Sequence, residues 1–250
     1  MGSTTVLINN RMACRSGDIL QGSGPPNSFA KGELTVLIGD VGFGMARADN
    51  RSAYAAAMRK IYDNWDSMTP EERRRAMEDA LNNSLPNHMP RLRLSMEPLA
   101  SDLNGQLDFQ NWEVEVNRSM LEGDMTEEQF AEMSNTIYHE GRHGEQWYNA
   151  AQYRANEGDS AEEISSGMGV PQRVGEHAVN NPAEEGTSEN AMGESVYNSV
   201  YGDRAAHRED VYDDMDTGEA GSYDRYQALP EEEDAFRQGD AAENDFRNTP

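Results

Sequence analysis

Residues 139–143 read His139-Glu140-Gly141-Arg142-His143, a His-Glu-x-x-His pattern. Positions four apart share one face of a helix, so both imidazoles can reach a single metal ion. Glu140 falls just beside them, within reach of a metal-activated water whose proton it can take. Those residue types at that spacing point to a zinc peptidase. His139 and His143 are the expected ligands of a Zn2+ cofactor and Glu140 the general base. A catalytic zinc usually has three protein ligands and one open position. The usual Gly-x-x-His does not follow His143, and the next histidine is His177. The residues themselves leave several third ligands open: Glu232, its neighbours Glu231, Glu233 and Asp234, or one of His177 and His207. His88, in a turn framed by Pro86 and Pro90, reads as solvated.

The pair needs a helix to carry it. Thr126 is a candidate N-cap with Gln129 at the far corner of a capping box. Phe130, Met133, Ile137, Glu140 and Trp147 then recur at near-helical spacing, which predicts a helix over about 127–157, in one piece or two. Gly141 and Gly144 each cost roughly 1 kcal/mol relative to alanine inside a helix, so something is expected to pack closely beside the histidines. Arg142 and Glu145, three apart, are placed to pair or to orient neighbouring groups. Gln146 and Trp147 read first as packing residues.

Other elements frame this helix. Residues 52–65 read as helical with Tyr54, Met58, Ile61 and Tyr62 inward. Thr69-Pro70-Glu71-Glu72 opens a second helix, to about Leu81. Alternating apolar residues predict strands at 91–96, around Leu107 and Phe109, and from Trp112 to an end at Asn117. The last of these, just before the metal helix, offers either an open edge for an extended peptide or an ordinary internal strand. Residues 172–179 suggest a short helix, and 192–217 one or two marginal ones. Residues 216–222 read as loop. Pro230 opens a helix over 231–242 whose first-turn glutamates suit a helix N-terminus. Tyr197, Tyr201, Tyr223 and Tyr226 are the candidate oxyanion donors. Nearer the N-terminus, strands are expected at 5–8 and 34–38, with a loop at 21–28. Gly42-Phe43-Gly44 lacks the fingerprints of a nucleotide-binding loop.

Composition narrows the partners. The chain carries 46 acidic and 21 basic residues, a formal charge of -25. Phosphate backbones must be met by positive charge, so no nucleic-acid partner is expected. Residues 151–250 hold 24 of the acids and only 7 of the bases, which marks the C-terminal part as the more self-repelling. Cys14 is the single cysteine, so no intramolecular disulfide forms. No membrane span is expected, and the first residues lack a signal-peptide pattern. A bacterial or cytosolic location fits, with export without disulfides also open; delivery by a specialised secretion system is added only by the resemblance described next.

One resemblance joins the distant pieces. Tyr138-His139-Glu140, Arg142-His143, Glu145-Gln146-Trp147, then Leu229-Pro230, Glu232, Asp234-Ala235-Phe236 and Gly239-Asp240 together resemble bacterial zincin-like metallopeptidase domains. Such domains occur in polymorphic-toxin or secretion-associated proteins. The likeness extends through Gly105-Gln106-Leu107-Asp108-Phe109, Trp112, Val116-Asn117 and Met168-Gly169-Val170-Pro171, and covers roughly residues 50–245. It implies Glu232 as third ligand, a protein or peptide substrate, a toxin or effector role, and a cognate immunity or inhibitor protein as partner. Two departures stand out: Gly141 and Gly144 where such sequences usually have alanine, and an acidic segment at 183–225 that matches nothing in the pattern. The expected fold is thus α+β, a zincin-like domain over 50–250 with its His-Glu-x-x-His helix packed on a small mixed or antiparallel sheet. A strand-rich segment, 1–49, precedes it, and 183–225 is expected to be a loosely ordered insertion. Two other functional readings stay open: a catalytically silent zinc-binding scaffold, and an acidic protein-binding module in which the histidine pair is coincidence.

Overall fold

The computed structural model describes residues 50–250 except 102, and before them the backbone of four two-residue strands and of the helix that starts at residue 41. The chain forms two compact units, Met1–Asp49 and Asn50–Pro250. In the first, β1 (Leu7–Ile8) pairs antiparallel with β2 (Arg11–Met12), and β3 (Ile19–Leu20) with β4 (Asn27–Ser28). The strand expected at 34–38 lies outside the described residues, as do Cys14, residues 5–6 and most of the loop expected at 21–28, whose last two residues form β4.

Helix α1 (Val41–Asp63) begins well before residue 52 and takes in the Gly42-Phe43-Gly44 stretch. Tyr54, Met58 and Ile61 are buried on its inner face and Tyr62 packs beside them. Helix α2 (Pro70–Ser84) opens on a complete Thr69/Glu72 capping box and runs one turn past Leu81. Three strands follow, β5 (Arg93–Glu97), β6 (Gly105–Asp108) and β7 (Glu113–Asn117), in the order β5-β7-β6. β7 runs parallel to β5 and antiparallel to β6. The strand that precedes the His-Glu-x-x-His helix is therefore the central one, with no open edge. Within this sheet the edge nearest that helix belongs to β6 instead.

Trp112 is not a strand residue. Asp108 Oδ1 accepts the amides of Gln110 and Asn111 at 2.9 and 3.0 Å, closing the β6–β7 turn. Trp112 ends that turn in the left-handed region at φ 61°. The strain is offset by full burial of its ring and an indole bond to the Pro90 carbonyl at 2.9 Å.

After α3 (Arg118–Glu122) comes α4 (Glu127–Asn156), a single unbroken helix of 30 residues. Its Thr126/Gln129 capping box is complete. It is the axis of the unit, touching α2, β6 and β7 and, beyond them, α5 (Ala161–Met168), α6 (Gln172–Asn180), α7 (Ser188–Val200) and α10 (Pro230–Asn248). The two glycines meet the close packing that their cost implied. A Cβ on Gly141 would stand 2.4 Å from Leu81 Cδ1, and one on Gly144 2.6 Å from Leu92 Cδ1.

Between α7 and α10 lie α8 (Ala205–Thr217) and α9 (Ser222–Gln227). The acidic stretch at 183–225, expected to be a loosely ordered insertion, is thus largely helical. The fold is α+β, mostly helical, with one small mixed sheet. Among the described residues no helix is long and apolar enough to cross a membrane.

Candidate metal centre

Helix α4 brings the two imidazoles together edge to face, with His139 Nε2 and His143 Nε2 3.0 Å apart. The first turn of α10 delivers the third group. Glu232 Oε2 lies 3.6 Å from His139 Nε2 and 3.3 Å from His143 Nε2, on a side chain only 4% exposed. His139, His143 and Glu232 are one of two groups among the described residues whose ligand atoms converge this closely; the other is Asp108, Glu113 and Glu115 on the sheet.

The rest of the α10 turn explains why only one of its acids arrives. Consecutive helical residues point about 100° apart. Glu231 turns to Ser199 Oγ and Arg208 Nε, each at 2.8 Å, and is fully buried. Glu233 faces solvent. Asp234 meets Arg142 Nε at 2.5 Å. His177 and His207 are absent from the cluster. His88 sits beside Tyr148, which takes its backbone carbonyl.

A hydrogen-bond chain sets the tautomer of His143. Gln146 Nε2 donates to the Glu231 carbonyl at 2.8 Å and to Asp234 Oδ2 at 3.1 Å. Its Oε1 must then face His143 Nδ1, 2.8 Å away, and accept that N–H. The Nε2 lone pair is left turned to the cluster, as a metal ligand requires. Gln146, expected only to pack, thus orients a candidate ligand. Arg142 does what its spacing suggested, joining Glu145 Oε2 at 2.5 Å to Asp234 across the α4–α10 contact.

The donor set fits a divalent cation. Two imidazole nitrogens and a carboxylate oxygen suit zinc by type and number. Glu232 Oε2 is buried without a well-aligned hydrogen-bond partner, although lone pairs this close repel unless a proton or cation stands among them. Burial alone would lower the His143 pKa, yet the adjacent Glu232 carboxylate lifts it to about 9. Burial would raise that of Glu232, and the charge of His143 outweighs it, leaving the carboxyl well below its ordinary range.

Glu140 borders the cluster, its Oε1 3.9 Å from His139 Nε2 and its side chain 13% exposed. Burial raises its pKa, against the lowering pull of the two histidines and of a hydrogen bond from the backbone of Leu107 in β6. The edge strand and the candidate base are therefore in direct contact.

Of the four tyrosines considered as oxyanion donors, Tyr226 lies beside the cluster, where burial and the charge of Glu232 raise its pKa. Tyr201 instead ties Trp147 Nε1 to the Met168 carbonyl, at 3.1 and 2.7 Å. Tyr197 stacks against Tyr153 and Tyr201, and Tyr223 is 54% exposed. Sequence reasoning missed Tyr212, whose hydroxyl donates to Glu232 Oε1 at 3.1 Å. It also missed Arg208 and Ser199. No local motif marks these three; they are read only once α7, α8 and α10 are seen together. No family model, no curated protein and no solved structure matches this chain.

Proposed function

We propose that this chain is a zincin-like metallopeptidase that hydrolyses peptide bonds with zinc held by His139, His143 and Glu232. The observation that carries the reading is the arrival of Glu232 Oε2, from a helix about ninety residues away in sequence, against both Nε2 atoms of the pair. Zinc bound there supplies Lewis acidity, enough to make a water acidic near neutral pH and to polarise a carbonyl.

The chain's own groups do the rest. Glu140 takes the proton of the attacking water and passes it to the leaving amine. A carboxyl whose affinity for protons is raised by burial suits a group that must both accept and release one. The β6 edge offers backbone N–H and C=O groups to an extended peptide, and the Leu107–Glu140 contact puts the base beside whatever lies along it. The resemblance stated above adds delivery as a bacterial toxin or effector, countered by a neutralising partner protein.

One observation favours a silent zinc-binding scaffold: both histidines and Glu232 are less than 9% exposed, as in structural zinc sites. One series of variants separates the readings. One zinc per wild-type chain by mass spectrometry, lost in His143→Ala and in Glu232→Ala, is the expected result. Proteolysis of an unstructured protein by the wild type should vanish in Glu140→Gln while zinc is retained. Zinc without any proteolysis identifies the scaffold, and no zinc uptake ends both readings.

A further inference from the structure

Helices α8 and α9 are thinly anchored. Val211 is the only buried residue of α8, and Ser222 the only one of α9. Their principal polar ties run to the acidic turn that builds the metal centre. Arg208 holds Glu231, and Tyr212 holds Glu232 Oε1 at 3.1 Å. Arg208 in turn donates to the Tyr212 hydroxyl at 3.1 Å and lies over its ring. The Tyr226 ring packs edge-on to both Tyr212 and Phe236, and Phe236 packs on His139. The Tyr212 hydroxyl therefore holds one oxygen of the Glu232 carboxylate while the other stays turned to the histidines, with the Tyr226 ring packed behind Tyr212.

We propose that Tyr212, backed by the Tyr226 ring, is a positioning residue of the metal centre, holding the Glu232 carboxylate so that Oε2 stands ready as a single-oxygen ligand. This makes the acidic helical segment a working part of the site, and it rests on the zinc reading above. A glutamate free to sample its rotamers loses up to about 2 kcal/mol of entropy when fixed. A hydrogen bond from a rigid phenol offsets part of that cost before a cation arrives. Hydrogen bonds behind a ligand are typically worth about 10–100-fold in metal affinity.

The test is chelator competition for zinc on the full chain, with wild type, Tyr212→Phe and Tyr201→Phe. Phenylalanine keeps each ring and removes only the hydroxyl. The Tyr201 hydroxyl is also buried and bonded, but not to Glu232, so that variant controls for loss of a hydroxyl as such. Zinc affinity should fall about tenfold in Tyr212→Phe and stay unchanged in Tyr201→Phe. Melting temperatures of the chelated proteins should not separate the Tyr212 variant from the Tyr201 control. A Tyr212→Phe protein within about threefold of wild type overturns the proposal, as does a Tyr201→Phe loss of equal size. A wild type that takes up zinc while the variants do so equally well spares the peptidase reading; a wild type that takes up none defeats both.

Discussion

Arg142 shows how much of the centre depends on a residue that never faces the cluster. Its guanidinium is 4% exposed and lies between Glu145 on its own helix and Asp234 on α10. Burial would lower its pKa, but those two carboxylates raise it above the ordinary arginine value, and Arg142 holds Asp234 well below the usual carboxylate range, to about 2. Charges this deep are costly to desolvate, and removing one partner leaves the others uncompensated, typically at about 3–5 kcal/mol. Arg142→Met should therefore destabilise the chain by that amount, read as a fall in the urea midpoint. It should also loosen Gln146, which shares Asp234 with Arg142. An unchanged midpoint would show that the pair merely breaks even. The spacing of Arg142 and Glu145 was legible in the sequence because i and i+3 always meet on a helix. The partner on α10 was not, since nothing local ties residue 142 to residue 234.

At the scale of elements, α4 is held by what its glycines admit. Gly144→Ala gains roughly 1 kcal/mol of helix propensity, but its methyl would meet Leu92 Cδ1 at 2.6 Å in a wholly buried layer. Overpacking of this kind costs about 1–3 kcal/mol, so a net loss of up to about 2 kcal/mol is expected in urea unfolding. In a Leu92→Ala background the same substitution should become neutral or stabilising, and a full cycle of the four proteins measures the coupling. The capped helices α2 and α4 were readable because their caps are written in adjacent residues. The Ser160/Glu163 box of α5 was equally local and went unread amid glycine and acidic residues. The position of β7 at the centre of the sheet was beyond such reading, because strand order is a long-range property. The role of α8 was hidden for another reason: its apolar residues are few, so no hydrophobic period announces a docked helix.

For the whole molecule, charge sets the balance. A formal charge of -25 makes the compact state self-repelling. Salt also weakens exposed ion pairs such as Arg75–Glu71 and Arg91–Asp79, but such pairs contribute at most about 1 kcal/mol each. The unmatched acids outnumber them, so screening should win. Raising sodium chloride from about 0.02 to about 0.5 M should lift the melting temperature by about 3–6 °C, the response of a chain this size to one or two kcal/mol. A flat or falling curve in calorimetry would show that the paired charges dominate.

The distance in sequence between the histidines and their acidic partner carries one more consequence, for the timing of synthesis. A ribosome adding about 5–20 residues per second needs roughly 5–20 s to travel from His143 to Glu232. Throughout that interval the nascent chain holds two imidazoles and no carboxylate to complete the set. The three candidate ligands therefore come together only once α10 has been made. A chain that stalls or is clipped before α10 lacks Glu232 and is expected to hold zinc no better than the Glu232→Ala variant.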